Sequence, residues 1–172
     1  DNVGPATFGG LQRIVGEGEG IKSQPCALHP AVKVLLVIPA QAKSTVRMRQ
    51  VVPDEISRED QIVTAVALEQ VLKGLAEADP EALRYCREDR RHQPYRLQAQ
   101  PESAAIFDLL CELPELAGAY LSGAGTTVGA WVLKGDPCAV VRDRIAGSGI
   151  TARVQLAAPD SQGVTVKGNH IP

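Results

Sequence analysis

Two short apolar segments, 119–121 and 128–133, are separated by only six residues, and this spacing is the strongest constraint on the fold. Each segment has the length of a β-strand, and the glycine-rich segment Ser122–Thr127 lies between them. Parallel strands need a crossover connection of about a dozen residues or more, so these two strands are expected to form a hairpin. A third apolar run, 32–38, predicts a buried strand that stops at Pro39. We therefore expect a largely antiparallel sheet.

Capping signals predict helices between the strands. Ser57 is followed three residues later by Asp60, as in a capping box, and apolar residues then recur at intervals of three and four up to Leu75. Asp79-Pro80 and Asp136-Pro137 each place a capping residue before a proline, as at a helix start. The signals together predict helices over 3–8, 58–75, 80–86, 101–111 and 137–145, and further strands over 11–15, 150–156 and 164–166. This order indicates a two-layer α+β fold in one compact domain.

The composition excludes several classes of partner. Lys and Arg total 18 against 20 Asp and Glu, and a net charge of −2 offers no electrostatic attraction to nucleic acid. With one Trp, three Tyr and two Phe, the chain has few rings on which bases could stack. The longest apolar run, 34–38, is far shorter than the roughly 18 residues of a membrane span. We expect a small-molecule partner, with no nucleic acid and no membrane.

The four cysteines, Cys26, Cys86, Cys111 and Cys138, lie far apart in the sequence. They form no C-x-x-C pair and have no histidine at the spacing of a metal site, so no metal site is predicted. Reduced thiols in a cytoplasmic protein are the expectation.

The first candidate site is the glycine-rich turn Ser122–Thr127. Such a turn exposes backbone N–H groups that can bind a phosphate. Gly123 and Gly125, with the next glycine at Gly129, miss the G-x-G-x-x-G spacing, and no lysine follows as in a P-loop. A plain hairpin turn and an anion-facing loop both remain open.

Two further candidates depend on arginines. Arg96 follows Pro94 in a turn, where its guanidinium could bind a carboxylate through two hydrogen bonds, and nearby His92 is either a general base or a capping or core histidine. Thr45 and Arg49 are four residues apart and would share one face of a helical turn, which suits a ligand with a hydroxyl and a charged oxygen. A capped surface helix explains the same pattern.

Four segments taken in order resemble the C-terminal half of the homoserine kinases, a family in the GHMP small-molecule kinase superfamily. Residues 1–10 are similar to its D-N-x-x-P-A…G-G segment, and 44–49 to its S-T-x-x-x-R. Residues 88–96 resemble its E-D…H-Q-P-Y-R, and 121–127 its L-S-G-A-G-P-T, with Thr126 where the family usually has proline. The resemblance implies a ferredoxin-like sheet in residues 21–172, the substrate-binding domain, after a remnant of the N-terminal domain in 1–20.

The resemblance also implies residue roles. The family's asparagine maps to Asn2, which would contact homoserine, and its two carboxylate-binding arginines map to Arg49 and Arg96. The catalytic threonine beside the substrate maps to Thr45. A glycine loop would form the floor of the site, from Ser122, Gly123, Ala124, Gly125 and Thr126. The family transfers the γ-phosphoryl group of ATP to the side-chain hydroxyl of L-homoserine with Mg²⁺, a step of threonine biosynthesis.

The 172 residues contain no segment like the family's ATP loop, P-x-x-x-G-L-G-S-S-A. We therefore expect ATP and Mg²⁺ to bind through an N-terminal half that is absent here or through a second subunit, and the isolated chain to be inactive. A homodimer is a further expectation. The alternatives are a catalytically silent binding domain of the same ancestry and a GHMP kinase that acts on another small alcohol.

Overall fold

The computed structural model describes residues 2–16, 18–41 and 44–165. In chain order the helices are α1 (Val3–Phe8), α2 (Thr45–Gln50), α3 (Arg58–Glu77), α4 (Pro80–Leu83), α5 (Gln93–Gln98), α6 (Pro101–Cys111) and α7 (Cys138–Gly147). The strands are β1 (Leu11–Val15), β2 (Lys22–Cys26), β3 (Lys33–Pro39), β4 (Ala119–Leu121), β5 (Val128–Val132) and β6 (Ala152–Ala157). Short 3₁₀ segments cover Gly18–Gly20 and Arg84–Glu88.

Four strands form one sheet in the order β4-β5-β3-β6, and every neighbouring pair is antiparallel. The connections give the β-α-β-β-α-β order of a ferredoxin-like domain, with the hairpin β4-β5 in the middle. The expected α+β fold with a largely antiparallel sheet is confirmed. β1 and β2 form a separate two-stranded ribbon in which Leu11 lies opposite Cys26. The two strands of this ribbon lie on either side of residue 20 in the sequence, so the ribbon includes residues of both predicted domains. The domain boundary at residue 20 stays a prediction.

The two faces of the sheet pack against different helices. On one face α6 and α7 cover the central strands, and the core includes Leu35, Val37, Ile106, Leu110 and Val141, all fully buried. Strand residues alternate between faces, so a smaller cluster forms on the opposite side, where Trp131 packs with residues that include Val32, Leu75 and Leu83. This second cluster attaches α3 and α4 to the sheet.

The helix starts predicted at Ser57 and Asp79 are confirmed, whereas α7 begins at Cys138, one residue after the predicted start at Pro137, and the Asp136 carboxylate accepts the N–H of Cys138 at 2.9 Å. The hydroxyl of Ser57 accepts the N–H of Asp60 at 3.0 Å, and the carboxylate of Asp79 accepts the N–H groups of Glu81 and Ala82 at 3.0 and 3.3 Å. Each bond satisfies N–H groups that have no partner within the helix.

The helix expected over 80–86 is shorter than the pattern indicates. It ends at Leu83, and the chain continues as the tighter 3₁₀ segment. The carbonyl of Cys86 accepts the side-chain amide of Gln93 at 2.8 Å, while the N–H of Arg90, its partner in a continuous α-helix, donates to Thr64 Oγ1 at 3.0 Å. Side chains distant in sequence replace the helical bonds.

Two other expectations are corrected. Arg96 lies inside α5 rather than after a turn, because Pro94 occupies a position in the first turn of that helix, where proline is tolerated. Residues 164 and 165 belong to no strand; the N–H of Val164 donates to the carbonyl of Thr7 at 3.1 Å, and residue 166 lies outside the described residues. Across the described ranges, every helix is too short or too polar to cross a bilayer.

Candidate functional site

The glycine loop Ser122–Thr127 closes the hairpin between β4 and β5. The N–H of Ser122 donates to the carbonyl of Thr127 at 2.9 Å, and the N–H of Gly125 donates to the carbonyl of Ser122 at 3.0 Å. Gly123 and Gly125 have φ angles of 57° and 87°, which side chains other than glycine rarely adopt. A Cβ atom on Gly125 would also collide with the side-chain amide of Gln100. The loop conformation therefore requires these two glycines.

Three side chains from α5 and the start of α6 bind carbonyl groups of this loop. Arg96 Nη1 donates to Gly123 O at 2.9 Å, Gln100 Nε2 to Ala124 O at 3.0 Å and Ser103 Oγ to Thr126 O at 2.9 Å. Gln100 and Ser103 are each 1% exposed, so their bonds form away from water and are costly to leave unmade. These contacts turn the loop's carbonyls toward the helices and fix its conformation.

The helix α5 is positioned by Asp89 and Gln93. The Asp89 carboxylate accepts the N–H groups of Arg91, His92 and Gln93 at 2.8, 3.1 and 3.0 Å. The side chain of Gln93 donates to the carbonyl of Cys86 and accepts the N–H of Leu121 at 2.7 Å. Asp89 thus caps the helix, and Gln93 attaches it to the outer edge of β4, directly before the glycine loop.

Arg96 joins two of the predicted site elements. Besides Gly123, its guanidinium contacts the carbonyl of Met48 on α2, with Nε at 3.4 Å. An arginine side chain has five N–H donors, so donors remain for a ligand. Arg96 lines a cleft of about 550 Å³ together with His92 and with the stacked rings of Tyr120 and Trp131, whose centroids are 4.5 Å apart.

His92 lies next to this arginine. Its pKa is lowered, mainly because burial disfavours the charged imidazolium; the positive charges of Arg96 and Arg91 act in the same direction and Asp89 opposes them. The ring nitrogen Nδ1 is 3.8 Å from the Asp89 carboxylate. The environment favours a neutral imidazole, the form that can accept a proton.

Thr45 and Arg49 lie on α2 and both are exposed. The buried residue of that helix, Met48, contacts the glycine-loop side of the site, because Gln100 Nε2 is 3.0 Å from Met48 Sδ. Arg49 itself lines a separate cleft of about 580 Å³ with Val46 and Asp54, among others. The structure therefore brings α2, Arg96 and the glycine loop together, while Arg49 and Arg96 line different clefts.

Asn2 is the residue before α1 and is exposed. Its carbonyl accepts the N–H of Ala6 at 3.3 Å. Helix α1 packs on the β1–β2 ribbon so closely that a Cβ on Gly4 would lie 3.0 Å from the Ser23 hydroxyl. Directly after this helix, the N–H of Gly10 donates to the carbonyl of Asp160 at 2.6 Å. Asn2 thus belongs to the ribbon end of the molecule.

Sequence reasoning identified Arg96 and the loop but missed the side chains that support them. Asp89 and Gln93 lie within the E-D…H-Q-P-Y-R segment, but the sequence predicted no role for either residue. It also predicted no role for Gln100 or Ser103. One signal was available for α5: Pro94, because proline is common in the first turn of a helix.

Comparisons with known proteins identify the family. Residues 67–149 match the family described as GHMP kinases C terminal, a range that runs from α3 to α7 and includes α5 and the glycine loop. The chain carries a GHMP kinase C-terminal domain. The motif resemblance that the sequence suggested is thereby confirmed.

Curated relatives of this chain are homoserine kinases. The protein from Clavibacter michiganensis is 36% identical over 80% of the chain and 42% of its own length. The protein from Leifsonia xyli is 31% identical over 100% of the chain and 51% of its own length, and that from Clostridium kluyveri 30% identical over 96% and 56%. The chain thus spans about half the length of the curated relatives it matches.

Solved structures confirm the fold of this chain. The homoserine kinase from Cytophaga hutchinsonii superimposes with a TM-score of 0.80 at 16% identity, covering 94% of the chain and 52% of that protein. The mevalonate kinase from L. major gives a TM-score of 0.63 at 16% identity, covering 88% and 50%. Kinases with different substrates share the architecture, so the fold by itself does not select a substrate.

Proposed function

We propose that this chain supplies the substrate-binding part of an ATP-dependent homoserine kinase, a cytoplasmic enzyme of threonine biosynthesis. The support is that curated relatives at 30–36% identity are homoserine kinases and that four motifs of that family occur here in order. Arg96 is the observation on which the proposal rests most. Its contacts to Met48 O and Gly123 O fix a guanidinium between α2 and the glycine loop, with N–H donors left over.

A guanidinium in that position suits the carboxylate of an amino acid. Arginine binds a carboxylate through two parallel hydrogen bonds, and such charge-assisted bonds are stronger than neutral ones. Arg49 is proposed as the second carboxylate ligand, which requires its side chain to turn from its present cleft toward Arg96 when substrate binds. Thr45 is proposed as the catalytic threonine beside the substrate hydroxyl, and Asn2 as a contact to homoserine.

Phosphoryl transfer depends mainly on positioning and on charge neutralisation. The glycine loop is proposed as the floor of the site, where its fixed conformation holds the backbone in place before substrate arrives. Neutral His92 is available to accept a proton from the substrate hydroxyl directly or through water, as a second candidate for proton transfer.

ATP and Mg²⁺ are assigned to no residue of this chain. The sequence has no glycine-serine ATP loop, and the described residues hold no group of three or more carboxylate, cysteine or histidine side chains that could bind a metal ion. The residues present therefore do not fit the nucleotide or the ion. We propose that a segment carrying the ATP loop binds both ATP and Mg²⁺. By themselves, the 172 residues should then transfer no phosphate.

The test uses a joined protein, in which these 172 residues follow the part of Leifsonia xyli homoserine kinase that the chain does not cover. We expect ATP-dependent phosphorylation of L-homoserine in a coupled assay, with kcat/KM at least about tenfold above that for L-serine or mevalonate. The isolated chain and the joined protein with Arg96→Ala serve as controls. A joined protein that unfolds cooperatively but prefers another alcohol contradicts the homoserine assignment, and turnover by the isolated chain contradicts the assignment of ATP.

A further inference from the structure

Among the residues that the structure describes, β4 is the last strand of the sheet, and no strand lies beside its outer edge. Exposed edges of this kind carry unpaired N–H and C=O groups that need other partners. At Leu121 the partner is the Gln93 side chain. At Ala119 it is a thiol: Cys86 Sγ donates to the Ala119 carbonyl at 3.1 Å.

A second thiol reaches the same point of the strand. Cys111 is the last residue of α6 and lines a cleft of about 270 Å³ together with Gly118, Arg84 and Arg87. The backbone of Ala119 lies near enough to the Cys111 thiol to lower its pKa against the larger, raising effect of burial, while a Cβ placed on Gly118 would lie only 2.9 Å from Cys86 Sγ. Both thiols therefore lie against the Gly118–Ala119 backbone, one from the 3₁₀ segment and one from α6.

We propose that Cys86 and Cys111 are a redox-modification site and form an intramolecular disulfide when the protein meets a peroxide. A disulfide needs two Cβ atoms about 4 Å apart, and the proposal requires the two side chains to reach that spacing beside the Gly118–Ala119 backbone. The proposal is independent of the function proposed above, since it requires neither substrate nor nucleotide.

The reaction balances with hydrogen peroxide as the oxidant. The Cys111 thiolate attacks one peroxide oxygen, which gives a sulfenic acid and water; the Cys86 sulfur then attacks the sulfenic sulfur, forms the S–S bond and releases the second water. Two thiols lose two protons and two electrons, and the peroxide is reduced to two waters.

The surroundings assign the first step to Cys111. Burial raises the pKa of both thiols, that of Cys86 to about 12, so both are protonated at neutral pH and react through a small thiolate fraction. The thiol of Cys111 is partly exposed, and the positive charge of Arg87 acts against the effect of burial and favours its thiolate. The other cysteines lie elsewhere: Cys26 is on the β1–β2 ribbon, and Cys138 is buried at the start of α7.

The experiment is peptide mapping of the reduced 172-residue chain before and after hydrogen peroxide, with the remaining thiols alkylated and no reductant added. We expect a peptide pair linked between Cys86 and Cys111, at roughly tenfold its level in the untreated chain, that dithiothreitol removes. Cys26→Ser should form the same pair, and Cys111→Ser should not. If Cys86 and Cys111 are recovered separately alkylated while Cys26 is oxidised, or are linked only between two chains, the proposal is wrong. The map of the unmodified sequence decides this even if a variant fails to fold.

Discussion

Polar side chains near the glycine loop bind backbone groups, and this arrangement is what the sequence indicated least. Arg96 could be selected because its motif is specific. Gln93 and Gln100 could not, because glutamine is usually exposed and nothing in its neighbours shows that an amide will be buried. Their partners, Leu121 and Ala124, lie 28 and 24 residues away in the chain. Such contacts follow from the tertiary fold alone.

The buried thiol of Cys86 predicts a loss of stability at high pH. Burial raises its pKa from the usual 9.0 to about 12 in the folded chain, so the unfolded chain releases this proton first. The stability that this protonated thiol contributes to the folded chain is therefore fully present below pH 9. It is lost as the pH rises from 9 to 12, by roughly 1 kcal/mol per pH unit.

Urea unfolding of the reduced chain across this pH range measures the effect. Cys86→Ala should flatten the pH dependence of the unfolding free energy, whereas Cys26→Ala, a change on the ribbon, should leave it intact. An equal slope with and without Cys86 would show that its thiol titrates alike in both states.

At the scale of elements, α5 depends on the Asp89 carboxylate. That group accepts the N–H of Gln93, the first residue of the helix, and two N–H groups directly before it, so Asp89→Ala should lower the free energy of unfolding by about 1–2 kcal/mol. Asp143→Ala, on the exposed side of α7, is the matched control and should change it by less than about 0.5 kcal/mol. Denaturant unfolding of the 172-residue chain measures both, and equal losses would mean that Asp89 does not cap α5.

Local signals predicted most elements but not their lengths near α5. The caps at Ser57 and Asp79 involve neighbouring residues, so sequence was sufficient. The helix after Asp79 was expected to reach Cys86. Instead, the carbonyl of Cys86 and the N–H of Arg90 bind side chains from other elements. Where a distant side chain replaces a helical bond, periodicity cannot locate the end of the helix.

At the scale of the whole molecule, one spacing predicted the antiparallel hairpin, and the ferredoxin-like sheet was expected from the family resemblance. The six-residue connection between β4 and β5 requires an antiparallel hairpin, and the two flanking helical connections then give the ferredoxin-like order. The meeting of Cys86 and Cys111 on Ala119 could not be foreseen, because it depends on how α6 and the 3₁₀ segment approach the edge of that sheet.

The proposed site is composed of contributions from the whole chain. α2 brings Thr45 and Arg49, α5 brings Arg96, and the hairpin brings the loop; Met48 and Gln100 connect these parts. Because Arg96 also binds Met48 O and Gly123 O, its loss should disturb α2 and the loop as well as the substrate. Arg49, which is exposed on α2, should affect the substrate alone.

The most direct measurement is steady-state kinetics of the joined protein with Arg49→Ala, Arg96→Ala and, as control, Arg47→Ala, a second exposed arginine of α2. A lost charge-assisted bond of roughly 1.5–3 kcal/mol corresponds to a ten- to hundredfold lower kcat/KM. The account predicts that loss for Arg49→Ala almost entirely as a higher KM for L-homoserine, a loss for Arg96→Ala in both KM and kcat, and little change for Arg47→Ala. Equal effects of Arg47→Ala and Arg49→Ala, or full activity without either Arg49 or Arg96, would contradict the claim that these two arginines bind the substrate carboxylate.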